Sequence, residues 1–110
     1  MKSKPVVPRE HANRDVDDAV AYYFSEGAED AALDFIAALE RVYSRISRHP
    51  ATGSPRYAHE LNLPGLRTWP LARFPHIVFY VERSDHIDVW SVLRGRRDIP
   101  AWLQEPDASA

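Results

Sequence analysis

The stretch that most limits the fold of this chain is Phe74 to Arg83, an extended run that is apolar on both sides of its alternation. Ile77, Phe79 and Val81 project from one side of such a strand, Val78 and Tyr80 from the other. A strand of this kind needs cover on both faces, or cover on one and a partner on the other. Ser84-Asp85-His86 reads as a turn. Beyond it, Ile87, Val89, Ser91 and Leu93 alternate with Asp88, Trp90 and Val92, which predicts a second strand antiparallel to the first. Upstream, Leu66 to Leu71 predicts a third, closed or bent at Pro70. The span Leu66 to Ile99 is therefore a three-stranded meander with arginines at its exit.

The residues before this meander supply its cover. Lys4 to Val7 predicts a short strand, confined to a sheet edge by Pro5 and Pro8, which cannot donate to a ladder. From Glu10 the period changes: Ala12, Val16, Ala19, Val20 and Tyr23 form one helical stripe, ended by Gly27. A second helix spans Glu29 to Arg48, with Ala32, Phe35, Ile36, Leu39, Val42, Tyr43 and Ile46 on its apolar side. Glu29 and Asp30 in its first turn, and Arg45 and Arg48 in its last, suit the helix dipole. His49-Pro50 stops it. The short connection makes the two helices an antiparallel hairpin. Residues 50–65, punctuated by Gly53, Pro55, Pro64 and Gly65, read as loop. Past the meander, Asp98 and Pro100 predict a short terminal helix anchored by Leu103.

The order is β-α-α-β-β-β with a short C-terminal helix. It predicts an α+β fold in which a helical hairpin packs on one face of a small antiparallel sheet. The expectation is a single domain over residues 1–110, frayed at about 1–4 and 105–110.

Composition narrows the chemistry. The chain has no cysteine, which removes disulfides, thiolate metal sites and cysteine nucleophiles. Its five histidines, at 11, 49, 59, 76 and 86, show no paired helical spacing, so no metal is expected. No apolar run spans a membrane and the N-terminus lacks a signal-peptide core, so a soluble cytoplasmic protein is expected. Net charge is −2, which gives no general attraction to nucleic acid. Locally, six arginines between Arg67 and Arg97 face only Glu82, Asp85 and Asp88.

Five short motifs occur in one order. They are Pro8-Arg9-Glu10-His11-Ala12 followed by Arg14-Asp15-Val16; Tyr22-Tyr23; and His49-Pro50-x-x-Gly53. The fourth is Leu66-Arg67 with Arg73-Phe74-Pro75-His76-Ile77-Val78-Phe79-Tyr80, and the fifth Val92-Leu93-Arg94 with Arg97-Asp98-Ile99. In this pattern the chain resembles the ParE toxins of the RelE/ParE toxin–antitoxin superfamily over about residues 6–103. Arg94 stands where many relatives carry His. The resemblance implies the toxin of a type II toxin–antitoxin pair, held in a hetero-oligomer with a ParD-like antitoxin and directed at DNA gyrase by binding.

The alternative within that superfamily is a ribosome-dependent messenger-RNA endoribonuclease of RelE type. Cleavage through the 2′-hydroxyl needs a base, an acid and cations for the strained phosphate. Cations are present, but the late Tyr or His that RelE-like nucleases carry is absent; the last tyrosine is Tyr80 and the last histidine His86. No catalytic residue, cofactor or sequence-specific DNA contact is therefore expected. The antitoxin groove is expected to use Phe24, Trp69, Val78 and Trp90, with Arg67 and Arg73 at its rim. For Trp69 and Trp90, core packing is the competing role. Target contact is expected from Arg94, Arg96, Arg97 and Trp102.

Overall fold

The computed structural model describes residues 3–94. The elements are β1 (Val6–Pro8), α1 (Glu10–Ser25), α2 (Glu29–Arg48), a 3-10 turn (Pro50–Thr52), α3 (Arg56–Glu60), β2 (Leu66–Pro70), β3 (His76–Glu82) and β4 (Ile87–Arg94). The four strands form one sheet in the order β1-β4-β3-β2. β2, β3 and β4 are the antiparallel meander, and β1 joins the far edge parallel to β4. Pro8 is tolerated there because Arg9 N–H and Pro5 C=O make the bonds to β4, leaving the Pro8 nitrogen on the open edge.

The two helices form on the predicted stripes. Gly27 closes α1 at φ +71°, with Gly27 N–H donating to the Phe24 carbonyl and Ala28 N–H to that of Tyr23, the two hydrogen bonds of a Schellman end. α1 and α2 cover one face of the sheet. Their Ala12, Ala19, Phe35, Ala38, Leu39, Val42 and Ile46 bury against Val78, Tyr80, Ile87, Val89 and Val92. Ile36 departs from its expected inward position and is 37% exposed. Seven apolar positions along one helix span a wider arc than the sheet can cover, and Ile36 lies at its margin.

Residues 50–65 are more ordered than a loop. They hold the 3-10 turn and α3, and Ser54 pairs with Thr68 on the β2 edge. The short helix brings Tyr57, Ala58 and Leu61 onto the second face of the sheet, against Leu66, Phe79 and Val81. A five-residue helix is too short for a period of 3.6 to register in sequence, so its punctuation dominated the reading. β3 is thus covered on both faces. The expected terminal helix around Asp98–Leu103 lies outside the described residues.

Candidate functional site

Three constellations combine accessible polar groups with shaped surface. The first is a cleft of about 430 Å³ between α2 and the edge strand β2, lined by Ala38, Arg41, Val42, Arg45, Trp69 and Leu71 among others. Arg41 and Arg45 stand on one face of α2 because they are four residues apart. The Arg45 guanidinium lies over the Trp69 ring, 5.5 Å from its centroid. The floor is apolar and the rim cationic, a combination suited to an amphipathic segment with acidic flanks.

One end of β2 is tied down by a separate network. Tyr80 Oη donates to the Pro50 carbonyl at 2.7 Å and accepts from Gly53 N–H at 3.0 Å. Arg67 Nη1 donates to the Gly53 carbonyl at 2.8 Å. Burial raises the Tyr80 pKa, so the hydroxyl keeps its proton and works as a staple.

The second constellation lies on the opposite face of the sheet. The carboxylate of Asp88, on β4, receives Arg9 Nε at 2.9 Å and Arg9 Nη2 at 2.8 Å. Arg83 donates through Nε and Nη2, and Trp90 through Nε1. The Arg9 guanidinium also lies 4.8 Å from the Trp90 ring centroid. Burial pushes the Asp88 carboxyl up, but the bonds from Arg9, Trp90 and Arg83 and the charge of Arg9 outweigh it and hold it below the usual carboxylate range. Both carboxylate oxygens are engaged, so the cluster ties the end of β1 to β4.

The third is a cleft of about 250 Å³ between α1 and the ends of β3 and β4, lined by Asp15, Asp18, Tyr22, Tyr23, His76 and Arg94 among others. A bulge precedes it on β4: Phe79 pairs with Ser91 and Tyr80 with Val89, leaving Trp90 as the extra residue. Just beyond the bulge, Ser91 Oγ and Val92 N–H both donate to Asp15 Oδ2. His76 is 9% exposed, and its Nδ1 has no partner among the described residues. Burial and then the charge of Arg94 lower its pKa, opposed by Asp15, so the imidazole is neutral at pH 7. Tyr43 is pushed up to about 12 by burial and by the Asp15 charge.

Among the described residues no group of three or more His, Cys, Asp and Glu could hold a metal ion, and no helix is long and apolar enough to cross a membrane. The family described as ParE toxin of type II toxin–antitoxin system, parDE, matches residues 6–99. The chain belongs to the ParE toxin family. Among solved structures, a chain of the chromosomal ParDE TA system from P. aeruginosa shares the fold. Its TM-score is 0.70 at 18% sequence identity, over 86% of this chain and 98% of that one. No curated protein matches the sequence.

In this ParE-family fold the six residues expected to form one groove are dispersed. Trp69 lines the α2–β2 cleft, whereas Trp90 sits on the other face beside Asp88. Val78 is fully buried under the hairpin and cannot touch a partner; strand alternation placed it on the face that the helices close. Phe24 is 49% exposed on the last turn of α1. Arg67 is half-buried on Gly53, and Arg73 is exposed in the β2–β3 turn at φ +70°. Arg94 is exposed at the mouth of the α1–β4 cleft, while Arg96, Arg97 and Trp102 lie outside the described residues.

Sequence reasoning missed Arg41 and Arg45 as cleft residues, and it missed Asp15. The spacing of the arginines and the place of Asp15 in the Arg14-Asp15-Val16 motif were the available signals.

Proposed function

We propose that this ParE-family chain is neutralised by a ParD-like antitoxin and acts on DNA gyrase by binding rather than by catalysis. The observation that carries the antitoxin half is the α2–β2 cleft, where Arg41 and Arg45 flank an apolar floor that includes Trp69. An amphipathic antitoxin segment with acidic residues beside its apolar anchors matches that surface in shape and charge. The docking residues are Trp69, Arg41, Arg45 and Arg73. Phe24 and Trp90 serve any longer wrap around the molecule. Target contact is assigned to Arg94 and to Arg96, Arg97 and Trp102.

Binding is favoured over RNA cleavage because the last tyrosine and the last histidine of the chain are already engaged. The Tyr80 hydroxyl is bonded on both sides, and His86 is paired with Asp85 in the exposed β3–β4 turn. The test is supercoiling by purified gyrase with saturating toxin. Inhibition that a co-purified antitoxin reverses is expected, and undiminished supercoiling would remove the gyrase target. Trp69→Ala is expected to weaken antitoxin binding at least about tenfold, as loss of an aromatic anchor does. Cleaved messenger RNA in a toeprint on translating ribosomes would establish the nuclease alternative instead.

A further inference from the structure

We propose that the cleft between α1 and the ends of β3 and β4 is a subsite for one arginine side chain of a partner polypeptide. It lies on elements other than those of the α2–β2 cleft, so it stands whether or not an antitoxin docks there.

Its size is the first reason. At about 250 Å³ it falls below the roughly 300–1,000 Å³ of pockets for drug-sized ligands, which suits one inserted side chain. Its polar inventory is the second. Asp15, Asp18 and Tyr22 fall on one face of α1, three and four residues apart. Asp15 spends Oδ2 on Ser91 and Val92, but Oδ1 accepts nothing among the described residues. Asp18 is exposed and has no hydrogen bond or ion pair among them. His76 adds a buried ring with an unpartnered nitrogen and no charge. Among the described residues the lining thus carries two carboxylates, with acceptor oxygens to spare, against one cation, Arg94.

Arginine meets this inventory better than lysine. Its planar fork carries five donors, which can divide between two carboxylates, whereas an ammonium is a compact, strongly hydrated point charge. The rings of Tyr22 and Tyr23, edge-on at 5.4 Å, supply an aromatic wall on which a guanidinium stacks. Arg94 at the opposite rim repels the incoming cation and turns it toward α1. It also favours an acidic residue next to that arginine in the partner.

The test is an NMR titration of the ¹⁵N-labelled full chain with N-acetyl-L-arginine N-methylamide. The citrulline analogue serves as the uncharged isostere and N-acetyl-L-glutamate N-methylamide as the anionic probe. Saturable shifts confined to residues around Asp15, Asp18, Tyr22 and Val92 are expected, with the citrulline probe at least about tenfold weaker. Asp18→Asn should weaken arginine binding several-fold with an unchanged melting temperature, since Asp18 is exposed and unpaired. Equal binding of the citrulline probe, preference for the glutamate probe, or shifts elsewhere would each overturn the proposal.

Discussion

The two faces of the sheet are built from the same strands yet held by different physics. Beneath the hairpin, helices of 16 and 20 residues close over a continuous apolar core in which Phe35, Ile46, Val78 and Val89 are fully buried. On the other face, a five-residue helix covers Leu66, Phe79 and Val81, and the β4 side is secured by Asp88 between two arginines and Trp90. Area buried stabilises the first face and charge pairing organises the second. The first should therefore respond most to lost volume, and the second to lost charge.

Phe35→Ala tests the first face most severely. The ring packs on Tyr23, Phe74 and His76, and its removal should cost about 4 kcal/mol in chemical denaturation. A loss below about 1 kcal/mol would mean that the hairpin is not the main source of stability. Gly53→Ala comes next, with an expected loss of about 3 kcal/mol, because an added Cβ overlaps the Tyr80 hydroxyl. A loss below about 1 kcal/mol would mean that the Tyr80 ring has room to move away from an added Cβ.

The second face is probed by Asp88→Asn, which leaves two guanidinium groups facing a neutral amide and should cost about 2 kcal/mol at pH 7. The sign of its pH dependence follows from the depressed folded pKa. The contribution of Asp88 is complete above the unfolded value of about 3.9 and fades as pH falls through the lower folded value. Wild type and variant should accordingly converge in stability in strong acid, and a difference that stays constant with pH would refute the charge account. His76 acts in the same sense on the hairpin side but in a higher pH window: its folded pKa is lowered, so stability should decline as pH drops below about 6.5. The smallest effect belongs to Glu82→Gln. It removes an exposed partner of Lys4 and should change stability by less than about 1 kcal/mol, and less again in high salt.

Several of these features were legible in the residues. The hairpin stripes, the Gly27 end, the meander and the edge position of the proline-rich strand each follow from period or from backbone chemistry that acts over a few residues. The candidate site was less legible. Trp69 and Trp90 look alike in sequence, each within a strand signal, but they lie on opposite faces, one over α2 and one beside Asp88. Val78 lies between them in type, apolar and on a two-sided strand, and its burial followed only from where the helices landed. Contacts such as Tyr80 with Pro50 and Asp15 with Ser91 join residues 30 and 76 positions apart, a separation that no local pattern encodes.

The sequence by itself determined the order of the four strands and the two long helices, the α+β class and the family, because periodicity, helix ends and ordered motifs are local properties of the chain. Only the tertiary structure decided which face each strand residue meets, that residues 50–65 fold back to cover the second face, and which arginines are committed. Arg9 and Arg83 serve Asp88 and Arg67 holds Gly53, while Arg41, Arg45 and Arg94 line clefts. The physical reason is that a charge has a role only through its neighbours, and chain folding brings those neighbours together across long sequence distances.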